Sequence, residues 1–289
     1  SLMFLHMLQN GRSIRNQCSM NTKEQQFVDT VWDYYGESGR DELPWRIKQN
    51  PYSVLVSELM LQQTQVKRVI PKFEAFIKAY PTVQKLVKAT LGDVLRLWNG
   101  LGYNRRAKFL LQCAVVVVQE YKGEFPTSYD ELLTLPGIGP YTAGAICAFA
   151  HNQPIELIET NVRQVYIHHF FKNRDDVTDQ EILKKVKKTM PIDRARDWYA
   201  AVMDYGTHLK SLHGNNAAQS ESHKKQSKFK GSNREVRGAI IRLLTDNPLT
   251  KREMQAMVTT DQKKIVSEQL DILMKDEMVI VFEGVYRLP

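Results

Sequence analysis

From Lys23 onward apolar residues recur every three or four positions, the spacing that lines one face of an α-helix. Phe27, Val28, Val31, Trp32 and Tyr35 form the first stripe. A second helix, begun near Ser53, is expected to hold Glu58–Gln63, and another to run from Pro71 to Ala79 with Pro in its first turn. The pattern continues through Thr82–Ala89, Asp93–Leu97, Ala107–Tyr121, Tyr129–Leu133, Thr142–Ala150, Asn161–Phe171, Asp179–Met190 and Asp193–Tyr205, with short turns between. Helix packed on helix follows, an all-α core with no strand expected before residue 275.

Between Ser211 and Gly231 apolar residues give way to Gly, Asn, Ser, Gln, His and Lys, a linker composition. A different unit follows. Arg234–Leu244 reads as a helix on Val236, Ile240, Ile241 and Leu244. Thr250–Met257 opens on a capping box of Thr250 and Glu253, and Gln262–Lys275 makes a third helix. Met278–Phe282 and Val285–Leu288 are β-prone runs hinged at Glu283–Gly284. Three helices and a hairpin resemble a winged helix, whose third helix is the usual major-groove reader; such modules also bind protein or pack on their own core. The expected layout is a leader or expression remnant over 1–20, a core over 21–210, a basic linker over 211–233 and the winged-helix-like unit over 234–289.

Charge sharpens this picture. Lys and Arg number 40 against 32 Asp and Glu, and the resulting +8 suits a polyanionic partner. More than half of that excess lies in His208–Arg237, which includes Lys224, Lys225 and Lys228, three candidate DNA contacts. Cys18, Cys113 and Cys147 are scattered without metal-ligand spacing, which argues against a disulfide scaffold and a zinc site and for reduced intracellular thiols. His168, His169, His208, His213 and His223 likewise lack a partner ligand at fixed spacing, so no metal is expected. No apolar run reaches the about 18 residues of a membrane span, and Ser1–Leu8 lacks the cationic start of a signal peptide.

Candidate chemistry centres on Leu135–Ala145, LPGIGPYTAGA. Gly137 and Gly139, flanking Ile138, can take positive φ and admit another backbone closely. The following helix offers unpaired N–H groups to an anion, so the segment reads as a hairpin gripping a phosphate without reading sequence. A plain helix–helix turn has the same outward form. Four further motifs accompany it: LPWR at 43–46, PYSVLVSELMLQQTQV at 51–66, WNGLGYNRRA at 98–107 and ETNVR from Glu159.

In these motifs and their order the chain, roughly Thr22 to Leu209, resembles the helix-hairpin-helix DNA glycosylases, within them the adenine-specific mismatch branch. The resemblance implies a two-lobed core with its active-site cleft between the lobes. Cutting a base from deoxyribose requires the base out of the stack, a proton on its leaving nitrogen and negative charge near the cationic sugar, and two carboxylates meet the last two needs. Glu58 lies between Val56 and Leu59–Met60 on an apolar helix, where burial would favour its acid form; a surface Glu is the alternative. By resemblance, Glu58 matches the acid that protonates adenine and Glu159 holds the place of the sugar-side carboxylate, with Asn161 beside it among the catalytic candidates. Arg46 matches a residue of the base pocket, and Gln63 and Thr64 match a segment that enters the duplex and touches the opposite base. Tyr103 matches an aromatic wedge, unless it is an ordinary core aromatic. The family's hairpin, here Gly137, Ile138 and Gly139, can also hold a monovalent cation through its carbonyls.

Three departures qualify the match. The family's sugar-side residue is Asp, and here it is Glu159. Its four-cysteine iron–sulfur loop is replaced by THLKSLHGNNAAQ, so no cluster, and no cofactor, is expected. Its C-terminal reader of oxidised guanine is of mixed α/β type, unlike the tail seen here. In addition, strand-cleaving relatives carry a Lys where this chain has Tyr141, which cannot form a Schiff base. The expected activity is a monofunctional DNA N-glycosylase, acting as an intracellular monomer on duplex DNA with a mispair or lesion. Its expected target is adenine opposite 8-oxoguanine or guanine. Thymine or uracil excision, or DNA binding without catalysis, are the alternatives.

Overall fold

The structure, a computed structural model, describes residues 20–221, 229 and 231–289. In chain order the helices are α1 (Thr22–Ser38), α2 (Pro44–Ile47), α3 (Pro51–Leu61), α4 (Val66–Ala79), α5 (Val83–Leu86), α6 (Leu91–Trp98), α7 (Arg105–Glu120) and α8 (Tyr129–Thr134). They continue with α9 (Pro140–Ala145), whose helix runs on into a π-turn over Ile146–Ala150, then α10 (Thr160–Phe170), α11 (Asp179–Thr189) and α12 (Ala195–His213). A 3₁₀ turn, Asn216–Gln219, precedes the tail: α13 (Asn233–Asp246), β1 (Leu249–Thr250), α14 (Lys251–Ala256), α15 (Thr260–Lys275), β2 (Ile280–Phe282) and β3 (Val285–Arg287).

The chain forms two compact units. Among the described residues, one takes 20–51 and 140–221, the other 52–139, 229 and 231–289. In the first, α1 packs on α12, and α10 packs on α11, α12 and the 3₁₀ turn. Phe27 of the expected stripe is buried 5.0 Å from the ring of Tyr166 and 5.8 Å from that of Trp198. Asn21 and Glu24 cap α1 reciprocally. The buried Glu24 carboxylate also receives Lys185 of α11 at 2.7 Å, so the cap doubles as a tie between helices.

In the second unit α7 packs on α5 and α6 around Trp98, Phe76, Leu110 and Val117. The expected three tail helices and terminal hairpin are present, with the capping box of Thr250 and Glu253 in place. A third strand, β1, pairs antiparallel with β3 in the order β1-β3-β2, so the expectation of no strand before residue 275 fails. Two residues of strand are too short to leave a period-two signal. The tail joins this unit rather than standing apart from it. Gly92 N–H donates to Pro289 O at 2.9 Å, and Arg96 Nε donates to Thr245 O at 3.3 Å. Arg105 forks onto Asp276 at 2.8 and 2.7 Å, and Lys108 donates to Asp276 O and Glu277 Oε2.

Two further corrections concern boundaries. Pro71 lies inside α4, which starts at Val66, because the residues before it also carry helical periodicity. The helix α3 ends at Leu61, so Gln63 stands outside it, in the left-handed region at φ 56°.

Candidate active site

Glu58 sits on α3 with 7% of its surface exposed, on a helix buried from Tyr52 through Met60. An apolar helix buried on nearly all sides carries a carboxyl group inward, which excludes the surface alternative.

Two residues after that helix ends, the chain turns sharply. Gln63 is exposed and left-handed, and Thr64 Oγ1 donates to Gln62 O at 3.2 Å. In the neighbouring loop Tyr103 is also left-handed, at φ 49°, and 39% exposed. Such conformations cost non-glycine residues roughly 1–3 kcal/mol each and persist only where surroundings hold them. Much of the holding of the backbone falls to one residue. Arg106, buried on α7, donates to Met60 O at 3.3 Å, Leu101 O at 3.3 Å and Gly102 O at 2.9 Å, and also to Leu59 O and Gln62 O. Its Nε reaches Tyr103 O at 3.3 Å, and its guanidinium lies 5.6 Å from the Trp98 ring and 5.4 Å from that of Tyr103. Burial pulls its pKa down to about 10, still cationic at neutral pH. Arg106 thus ties both loops to one helix. Sequence reasoning passed over it, although a cation in register with buried Leu110, Cys113 and Val117 marks a charge on an apolar face.

The hairpin separates its two glycines. Gly137 has φ 74°, and a β-carbon there would stand 2.4 Å from Phe109 Cβ, so conformation and space both require glycine. Gly139 has no positive φ, contrary to expectation, and nothing lies within 4 Å of where its β-carbon would be. Ile138 between them is buried, leaving the backbone as the accessible part of the turn.

Glu159 caps α10. Its Oε1 accepts from Asn161 N–H at 2.6 Å and Val162 N–H at 2.8 Å, and its Oε2 accepts from Asn161 Nδ2 at 3.3 Å. The side chain keeps some surface, but the protein around it is dense: desolvation raises its pKa, opposed by the two backbone N–H bonds and Arg163. The arrangement fixes a carboxylate at a helix start with one oxygen bound by backbone. Asn161 is thereby a partner of Glu159, not an independent group.

Arg46 lies at the end of α2 and donates to Asp204 at 2.7 and 2.9 Å and to Ala200 O at 3.2 Å. Arg40 adds three donors to the same carboxylate. Asp204 is buried, so two guanidiniums and a backbone N–H offset its desolvation. Sequence reasoning missed Asp204 and Arg40 because neither falls in a motif. Tyr141 occupies the first turn of α9 and is half-buried.

The segment expected to lack a cluster is closed by protein contacts. Gln164 Nε2 donates to Gly214 O at 2.9 Å and its Oε1 accepts from Ala217 N–H at 3.2 Å, while the His168 and His213 rings stack at 4.9 Å. No thiolate belongs to it: Cys113 and Cys147 are buried on α7 and in the π-turn. The donor set does not fit an iron–sulfur cluster. Among the described residues no three His, Cys, Asp or Glu converge as metal ligands, and no helix is long and apolar enough to cross a membrane. Lys224, Lys225 and Lys228 lie outside the described residues, as do Cys18 and His223.

Residues 56–191 match the family model of the HhH-GPD superfamily of base excision DNA repair proteins. The adenine DNA glycosylase of Mycolicibacterium smegmatis is 35% identical over 266 residues, covering 85% of this chain and 90% of that protein. That of Buchnera aphidicola subsp. Baizongia pistaciae is 40% identical over 181 residues, or 62% of this chain and 52% of that protein, and the human adenine DNA glycosylase is 40% identical over 148 residues, or 48% and 27%. The matched part of the chain thus spans about half the length of the Buchnera relatives. Among solved structures, a thermostable thymine-DNA glycosylase superposes with a TM-score of 0.57 at 24% identity, over 64% of this chain and 87% of that one. An endonuclease III–DNA covalent intermediate gives 0.53 at 22%, over 73% and 92%. Both share the fold.

Proposed function

We propose a function for a chain that belongs to the HhH-GPD superfamily of base excision DNA repair proteins, in its adenine DNA glycosylase branch: hydrolytic removal of adenine opposite 8-oxoguanine or guanine in duplex DNA. The observation that carries this reading is the pair of carboxyl groups in family motifs, Glu58 buried on an apolar helix and Glu159 fixed at a helix start.

Each side chain suits its part. Glu58 gives a proton to the leaving adenine, which departs neutral rather than as an anion. Glu159 opposes the positive charge that grows on the sugar, and its backbone N–H partners keep its carboxylate in place without reorganisation. Water then adds to the sugar cation and releases a proton to solvent, from which Glu58 is protonated again. Arg46, oriented by Asp204, lines the base pocket. Gln63, Thr64 and Tyr103 enter the duplex, where an aromatic fills the gap of the extruded base and an amide takes up its hydrogen bonds. The accessible backbone of Gly137–Gly139 receives a phosphate. Tyr141 offers no amine, so the product is free base and an intact abasic strand. The protein works without an iron–sulfur cluster, as a monomer, wherever the cell keeps its DNA.

A panel of duplexes, each carrying one defined mispair, tests the reading under single-turnover conditions. Release of adenine opposite 8-oxoguanine or guanine is expected, with no borohydride-trapped adduct. Release of thymine or uracil opposite guanine instead would reassign the substrate. An inert protein that still binds DNA would make it a binding protein.

A further inference from the structure

We propose that Arg234, on the first turn of tail helix α13, is a positioning residue for Tyr103, and that the tail thereby takes part in opening the duplex. The proposal rests on the reading above, in which Tyr103 is the aromatic that enters the base stack.

Two guanidinium groups lie against the Tyr103 ring. Arg106 approaches to 5.4 Å from within the ring's own neighbourhood, and Arg234 to 5.5 Å from the tail. Arg234 Nη1 also donates to the Tyr103 hydroxyl. Arg106 governs the backbone of the loop through its carbonyls, whereas Arg234 holds the far end of the side chain. The helix that carries Arg234 is itself tethered. Arg96 binds Thr245 O near its end, and Arg105 and Lys108 bind Asp276 and Glu277 beyond the third tail helix. The tail is therefore seated by residues that surround Tyr103 in sequence, and it returns one cation to the ring they flank.

A half-exposed ring that must slip between bases loses rotational freedom when it does so. Ordering it beforehand removes that cost from the opening step. A guanidinium suits the task, since it stacks on an aromatic face, donates to a hydroxyl and is attracted to the polyanion the ring enters. The tail then does more than add charge: it sets the angle at which the probe meets the duplex.

A double-mutant cycle on the full chain tests this. The probes are a processed mispair, for single-turnover rates, and the same duplex with 2-aminopurine beside the target, whose fluorescence rises on unstacking. Arg234→Ala is expected to lower the rate and the fluorescence rise about tenfold, while affinity for an unmodified duplex changes by less than about threefold. Tyr103→Phe, which keeps the ring, should do much the same, and the double variant should be no worse than the more damaged single. Arg234→Lys, which keeps the charge but not the planar guanidinium, should bind as wild type does and still not recover the fluorescence. Additive losses, or weaker binding of every duplex with an unchanged 2-aminopurine signal, would overturn the proposal alone and leave Arg234 a phosphate contact. If Tyr103→Ala unstacks and releases the base as wild type does, the wedge reading fails and the proposal falls with it.

Discussion

Gly206 of α12 and Asn161 of α10 touch so closely that a β-carbon on the glycine would stand 2.7 Å from Asn161 Cβ and 2.8 Å from its carbonyl oxygen. The helix start that carries Glu159 is therefore seated by the absence of a side chain on its neighbour. In Gly206→Ala the clash falls on backbone, which cannot swing aside, so α10 must shift. We expect a stability loss of about 1–3 kcal/mol and a fall in single-turnover excision of about a hundredfold, since displacement by ~1 Å costs that much. Urea unfolding and single-turnover assays on one preparation separate the two effects; unchanged excision would show that this contact does not set the carboxylate.

Glu159 itself should respond to charge and to length. Glu159→Gln keeps the shape and removes the charge, and excision should fall by at least ~10²-fold with DNA affinity retained. Glu159→Asp shortens the reach by one methylene, and higher activity there would mean that the wild-type carboxylate stands too far forward.

The pH dependence of the same residue has a definite sign. The anion is the useful form, and its pKa is raised by burial above the ordinary 4.5. Activity should therefore be lost as pH falls through that raised value, at a higher pH than an ordinary carboxylate would give. An acid limb at or below 4.5 would contradict the assignment.

The hairpin glycines should part company. Gly137→Ala forces a β-carbon into Phe109 at a left-handed position and should cost both stability and DNA binding. Gly139→Ala meets nothing in the protein, so its melting temperature should match wild type. If a DNA backbone approaches this turn, its affinity should nonetheless fall for matched and mismatched duplexes alike. Wild-type affinity in Gly139→Ala would remove the hairpin from the DNA contact.

His169 predicts how the fold itself answers to acid. Burial lowers its pKa from 6.5 to about 4, and its Nε2 shares a hydrogen bond with Tyr205 at 3.0 Å. Between those values the unfolded chain binds the proton and the folded protein does not, so stability falls with decreasing pH, by up to one proton's worth of slope. Denaturation midpoints measured from pH 7 to 4 should show this slope, and His169→Gln should flatten it.

Much of this was legible because helices announce themselves locally. Phe27, Val28 and Val31 lie inward as the period requires, and the capping box at Thr250 marks its helix to the residue. The misses are long-range or conformational. The periodicity around SELMLQQTQV says nothing about Gln63 turning left-handed, since Arg106, more than forty positions on, enforces that loop. The docking of Asp276 on Arg105 and Lys108 joins distant charges that look, one by one, like ordinary surface residues. Glu159 was found by its motif, but its seating against Gly206 arises only where two helices meet.

The route of the chain has a temporal consequence. Phe27 leaves the ribosome long before Tyr166 and Trp198, because the polypeptide departs one unit at Pro51 and returns to it at Pro140. At about 5–20 residues per second, the apolar stripe of α1 stays uncovered for on the order of ten seconds. A message cut short within that interval yields a sticky helix with nothing to pack on, so nascent-chain chaperones should engage α1 and release it only after α12 has emerged.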